Sequence, residues 1–131
     1  MIVEITNLTN EKIDKAFLAR VNSQTQKFIG RKKIKDISVV FVNARKIQAI
    51  NKKYRRQNKP TDVLSFEEIN EIFICPVVVR KQAKLFKNSF KAELTRVLIH
   101  GILHLAGFDH EKNKKEARKM KEMEDKIKSA I

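Results

Sequence analysis

Between Val97 and Leu105 the chain carries almost no polar side chain except two histidines. Val97, Leu98, Ile102, Leu103 and Leu105 surround His100 and His104 with apolar surface. A helix that is apolar nearly all round belongs inside a fold, so this segment is expected to be a central helix with the rest of the chain wrapped about it. What remains polar on it must then face either a buried partner or a cleft.

All three histidines of the 131-residue chain fall in one eleven-residue run, His100 to His110. A helix advances about 3.6 residues per turn, so positions four apart share a face and His100 and His104 can aim two ring nitrogens at one point. Gly107 is suited to end the helix in a left-handed turn, after which the chain can double back and bring in His110. Three imidazoles and one open position describe a catalytic zinc-type site rather than a closed structural one. A lone histidine on an apolar helix is usually an ordinary core histidine, but three at this spacing, with none elsewhere, are not explained that way. The spacing also matches the zinc signature of a large group of metallopeptidases, His-Glu-x-x-His-x-x-Gly-x-x-His. Here, however, Gly101 occupies the position of the glutamate that serves those enzymes as general base. The metal cradle is present without the peptidase base, which argues against proteolysis.

Charge narrows the substrate. Lys and Arg number 29 against 15 Asp and Glu, a net charge of +14. A field of that sign attracts polyanions. Twenty-one of the 29 are Lys, as in a chain with lysine spread over its whole surface, but the distribution is uneven. From Ile37 to Thr61 there is no acid, while Arg45, Lys46, Lys52, Lys53, Arg55, Arg56 and Lys59 all lie there. That stretch reads as a contact surface for a polyanion. The segment from Lys112 to Lys128 interleaves its bases with Glu116, Glu122, Glu124 and Asp125 and reads as a solvated helix face.

The length suits one domain, residues 1–131, with a core of its own. The single cysteine, Cys75, lies in an apolar run and is expected to be buried as a small hydrophobe. The start of the chain lacks the layout of a signal peptide, and no apolar stretch approaches the roughly 20 residues that span a bilayer. A cytoplasmic protein with no membrane partner is the expectation.

Pattern and capping residues predict the elements. Ile2 to Ile5 alternates as a strand. Thr9 or Asn10 caps a helix running to about Phe28, with Ile13, Phe17, Val21 and Phe28 inward and Gly30 ending it. Asp36 to Val42 reads as a buried strand, and Asn43 caps a helix through Ile47, Ile50 and Tyr54 that breaks at Asn58 to Pro60. Asp62 to Phe66 and Glu71 to Cys75 read as two further strands joined by a hairpin loop, the second stopped by Pro76. Helices follow over Val77 to about Lys87, Ser89 to Ala106 and Glu111 to Ala130. The last carries an apolar stripe of Ala117, Met120, Met123 and Ile127. The fold class is α+β, a small mixed sheet of about four strands packed against helices, with the histidine helix central.

A second segment adds to the histidine run: Tyr54-Arg55, then Pro60 to Phe66, then Arg80 to Ala83 after the fourth strand. In this order, and with His100 to His110 above all, the chain resembles the YbeY family of bacterial endoribonucleases over nearly its whole length. The resemblance implies a metal-dependent RNase of the bacterial cytoplasm that acts in ribosomal RNA maturation and ribosome quality control. It implies metal ligation by His100, His104 and His110 and a cleft arginine at Arg55, these four being the expected catalytic residues. The family usually has Gly-Asp before the fourth strand, where this chain has Asn70-Glu71.

The expected cofactor is one divalent transition metal per chain, zinc first and nickel second, although three imidazoles also suit copper and iron. Such a metal can activate water or polarise a phosphoryl oxygen. Arg55 can hold phosphate oxygens in a two-pronged fork. The expected partner is RNA, namely ribosomal RNA or the small ribosomal subunit, with the oligomeric state left open. No obvious general base stands beside the histidines; a metal-bound hydroxide, Asp62 or Asp109 could serve, although the two acids read more simply as orienting the imidazoles, and the sequence leaves the choice open. Tyr54 and Phe66 are read as core rather than as stacking platforms for RNA bases. Two rival functions stand: a non-catalytic RNA- or ribosome-binding assembly factor with a metal site, which the open ligand position disfavours, and a metallopeptidase-like hydrolase, which Gly101 disfavours.

Overall fold

The computed structural model describes residues 3–30 and 36–131; Ile2, expected to open the first strand, lies outside them. The elements are β1 (Val3–Asn7), α1 (Lys15–Ile29), β2 (Ile37–Phe41), α2 (Ala44–Arg55), β3 (Val63–Phe66), β4 (Glu71–Ile74), α3 (Pro76–Leu85), α4 (Phe90–Leu105) and α5 (Lys114–Ala130). The sheet order is β1-β2-β4-β3, with β1, β2 and β4 parallel and β3 antiparallel to β4. Helical crossovers supply the parallel pairing of β1 with β2, and the β3–β4 hairpin returns β4 to the inner position. This leaves β3 as an edge strand.

Local chemistry accounts for most of the element ends. Asn43 and Ser89 cap α2 and α4 by accepting from the backbone N–H groups of Lys46 and Ala92 at 2.8 and 3.0 Å. Pro76 does more than stop β4; it occupies the first turn of α3, where its missing N–H costs nothing. Helix α1 begins later than expected. Thr9 is held in a turn, its N–H and hydroxyl both donating to Asn7 Oδ1 at 2.9 and 2.6 Å, and Asp14 caps the helix by accepting from Phe17 N at 3.0 Å. Phe28, expected on the inner side, is instead exposed.

Alternation along the strands divides the interior in two. Ile37, Val39 and Phe41 of β2 and Ile72 and Ile74 of β4 face α1, α4 and α5 in the main core. Val42, Leu64 and Cys75 meet Ile47 of α2 on the other face. The buried thiol of Cys75 is thus packed as a small hydrophobe. Helix α4 is central: Leu94, Val97, Leu98, Ile99, Ile102, Leu103 and Leu105 are all buried.

Helix α4 sits very close to the sheet at Gly101. A Cβ there would lie 3.1 and 3.3 Å from two Ile72 carbons and 3.3 Å from Ser65 Oγ. The Ser65 hydroxyl donates to Gly101 O at 3.1 Å, which pins α4 to the edge strand. Gly101→Ala gains about 1 kcal/mol of helix propensity but overpacks a site whose neighbour Ile72 is fully buried, at a cost of about 1–3 kcal/mol. We expect a net loss of up to about 2 kcal/mol, read as a lower urea midpoint. An unchanged midpoint would mean that Ile72 yields more readily than its burial implies.

Candidate metal centre

The end of α4 is built to return the chain. Gly107, at φ 97°, follows the C-cap; its N–H donates to His104 O, and the N–H of Phe108 donates to Leu103 O, both at 3.0 Å. These are the paired bonds of a Schellman motif, and Phe108 packs on the main core, as its apolar position in that motif requires. The reversal carries His110 back beside the helix. Asp109 then holds a turn by accepting from Glu111 N at 2.9 Å, and Asn113 starts α5 by accepting from Glu116 N at 2.8 Å.

The three imidazoles converge. Their centroids are 4.9 to 5.2 Å apart, and one nitrogen from each lies within 4.8 Å of the others. His104 Nε2 and His110 Nδ1 are 3.2 Å apart. Two nitrogens about 2.0–2.1 Å from one tetrahedral ion would be about 3.3–3.4 Å apart, so this pair already has ligand spacing. Burial, followed by the charges of His100 and His110, holds His104 below the usual imidazole pKa. That favours the neutral ring with a free lone pair, the form a metal takes. By donor type and spacing, the three residues could hold a metal ion.

The acid within hydrogen-bond distance of an imidazole, among the described residues, is neither Asp62 nor Asp109. It is Glu124 of α5, buried, with Oε1 2.5 Å from His100 Nδ1. An Nδ1–H donated to this carboxylate turns the Nε2 lone pair of His100 outward. Asp62 is occupied otherwise, accepting from Val63 N at 2.8 Å and lying 3.7 Å from the Arg96 guanidinium. Glu124, read from the sequence as part of a solvated face, is buried instead, and its position on α5 is the signal that could have shown it. It lies four residues after Met120 and three before Ile127, on the inner stripe of α5, where an acid needs a partner.

Arg96 lies one turn before His100. Its Nη2 donates to Glu93 Oε2 at 2.8 Å and its Nε shares both Glu93 oxygens at 3.2 Å; the Glu93 side chain is 1% exposed. That hydrogen bond leads the causes that raise the Arg96 pKa, against the opposing effect of burial. Gln82, with its amide nitrogen turned inward, reaches Glu93 Oε2 at 3.3 Å and Asp62 Oδ2 at 3.2 Å. One arginine and one amide from two helices thus tie the start of β3 to α4.

A cleft of about 770 Å³ runs from these histidines to the end of α2, and Arg55 lies on its wall. The Arg55 guanidinium rests 4.8 Å over the Phe66 ring and donates to Ser65 O at 2.8 Å. The cleft is less uniformly basic than the acid-free stretch suggests. Arg55, Lys59 and Arg96 share it with Asp62, Glu67, Asp109 and Glu111, while Lys46 and Lys53 face a different groove. Tyr54 is not core but 55% exposed; Phe66 is half-buried. Gly101 faces the sheet between Ile72 and Ser65, so a glutamate there would first press on the closely packed seat of the helix. The geometry therefore agrees with the sequence in disfavouring a peptidase base.

The family model described as endoribonuclease YbeY matches residues 4–131. An endoribonuclease YbeY from Thermotoga petrophila is 44% identical over 110 residues, covering 79% of this chain and 71% of that protein. One from Aliarcobacter butzleri is 38% identical and covers 97% of this chain and 93% of its own length. The solution structure of a Thermotoga maritima protein superposes with a TM-score of 0.68 at 33% identity, covering 97% of this chain and 87% of that one.

The network around Arg96 has a measurable asymmetry. Glu93→Ala removes the buried carboxylate that holds Arg96 through its shortest bonds, and should cost about 1.5–3 kcal/mol. Asp62→Asn keeps an acceptor for Val63 N and removes only the longer, more exposed ion pair, which should cost about 1 kcal/mol or less. Urea midpoints of the two variants test the order; a reversed order would show that the Asp62 charge, not Glu93, anchors Arg96.

Proposed function

The chain belongs to the endoribonuclease YbeY family, and from that premise we propose that it is a metal-dependent endoribonuclease of single-stranded RNA, one domain over 1–131. In this reading His100, His104 and His110 hold the metal and Arg55 binds the scissile phosphate. The convergence of three ring nitrogens at the mouth of a cleft that also holds Arg55 carries the reading. The substrate in the cell is ribosomal RNA, met on or beside the small ribosomal subunit in the cytoplasm. Among the described residues, no helix is long and apolar enough to cross a membrane.

The metal, zinc first and nickel second, supplies Lewis-acid charge at a phosphoryl or water oxygen. The chain's own residues do the rest. Glu124 fixes the tautomer and direction of His100, and the two bonds of the Gly107 turn place His110. Arg55 has five N–H donors and gives one to Ser65 O, so several remain for phosphate oxygens. Its stacking on Phe66 holds the fork in place before substrate arrives. Lys59 adds positive charge at the rim, and the cleft acids Asp62 and Glu67 discourage phosphates from settling away from Arg55.

The test is an RNA cleavage assay on protein whose activity co-purifies through several columns, run beside metal analysis. Chelator should abolish cleavage. His104→Ala should lose cleavage while keeping most RNA affinity, and Arg55→Ala should slow cleavage by roughly 10²-fold or more with little change in stability. Binding should weaken steeply with salt as phosphate contacts release counterions. Metal-loaded protein that binds RNA and never cuts it would replace this reading with that of an assembly factor. A His104→Ala variant that cuts at the parent rate would place the activity elsewhere.

Glu124→Gln gives a readout apart from activity. Loss of the carboxylate behind His100 should weaken metal affinity by roughly 10–100-fold, measured by competition with a chromophoric chelator. Unchanged affinity would remove Glu124 from the site.

A further inference from the structure

A second groove, of about 660 Å³, lies on the α2 side of the sheet, separated from the metal cleft by Arg55 and Phe66. Ala49, Ile50 and Tyr54 of α2 form one wall; Phe66, Ile69 and Phe73 of the β3–β4 hairpin form the other. Its size falls in the range of small-molecule sites, about 300–1,000 Å³. The aromatic rings are linked, Phe66 meeting Tyr54 and Phe73 edge to face at 5.5 and 5.9 Å. At the mouth, Tyr54 and Ile69 are 55% and 60% exposed.

We propose that this groove takes a nucleobase of the RNA strand, the one flanking the phosphate held by Arg55, stacked against Tyr54. The proposal rests on the endoribonuclease reading and extends its substrate site. Continuity is the first reason. The Phe66 ring that backs the groove is the same ring on which Arg55 lies, so a strand bound at Arg55 passes the groove mouth at its next nucleotide.

The charges give the second reason, because they orient the strand. Lys46 and Lys53 lie on the α2 side, with Lys53 Nζ 5.2 Å over the Tyr54 ring, and can follow the phosphates. Glu68 and Glu71 line the hairpin side. Carboxylates there repel a phosphate but accept from a base amine such as cytosine N4. The backbone therefore runs along α2 and the base points toward the hairpin. An exposed tyrosine beside lysines is the pairing that single-strand binders use, with stacking that tolerates any base.

Composition supplies the probe. Tyr54 is the only tyrosine and there is no tryptophan, so the intrinsic fluorescence of the whole chain reports on this one ring. Metal-loaded full-length protein is titrated with a 2′-O-methyl cytidine hexamer, checked by gel to be uncut, and with an abasic strand of the same length. The hexamer should quench Tyr54 emission, after absorption correction, along the same curve as the anisotropy of the labelled strand. The abasic strand should leave the emission nearly unchanged. Tyr54→Leu keeps the groove apolar and should weaken hexamer binding on the order of tenfold.

Binding by anisotropy with no change in Tyr54 emission, or equal quenching by the abasic strand, would overturn the base site while leaving the RNA reading intact. No binding of either strand would remove the endoribonuclease reading and this site together. Emission that varies with protein concentration in the absence of any strand would make the groove a contact between copies of the chain.

Discussion

The contact on which the rest of the molecule depends is the seat of α4 on the sheet. The helix approaches so closely that a single added carbon at Gly101 would press on Ile72 and Ser65. Close-packed interiors leave little slack for such an addition. With one side of the helix on the sheet and the others against α1, α3 and α5, its apolar residues vanish into the core. Three of its polar residues, Arg96, His100 and His104, line up one turn apart along the wall of the cleft. The central helix therefore does two things at once: it closes the core and it presents the site.

The ends of that helix convert a row of side chains into a centre. At the C-terminal end, the Schellman bonds and the core contact of Phe108 set the path to His110. At the back, α5 brings a buried carboxylate to His100, so docking of the last helix and orientation of the first imidazole are one event. Removing α5 from the core would expose Met120 and Ile127 and release His100 together. Near the N-terminal end, Glu93, Arg96, Gln82 and Asp62 join two helices to the start of the edge strand. The same strand carries Ser65, whose carbonyl holds Arg55 and whose hydroxyl holds Gly101. One strand thus sets the distance between the arginine wall and the histidine wall.

The charge of the chain acts at longer range. A net +14 draws a polyanion to the surface, but the cleft itself mixes Arg55, Lys59 and Arg96 with four acids. Steering and positioning are thereby separated. The overall field raises the encounter rate of a polyanion, whereas inside the cleft Arg55 is set among acids that restrict where negative charge can rest. The second groove repeats the arrangement in smaller form, lysines on one side and carboxylates on the other.

Features that depend on chain neighbours are legible in the sequence alone. The apolar girth of α4 makes it central, the cap Asn43 sits where its side chain accepts from a nearby N–H group, and Gly107 turns the chain as a residue free to adopt positive φ does. The buried Cys75 and the stripe of α5 follow from local hydrophobic pattern in the same way. Where two local signals compete, sequence pattern misplaces the element: Thr9 bonds back to Asn7 and leaves the cap of α1 to Asp14. The tertiary structure decides the pairings between distant elements. Glu124 meets His100 across 24 positions and Arg55 meets Ser65 across 10. Tyr54 stays outside although its helix is amphipathic, and the acid-free stretch divides between two grooves. Periodicity tells which face of an element is buried, because that depends on residues a few positions apart; which residue lies opposite depends on how the elements stack, and the stacking is set by the whole core at once.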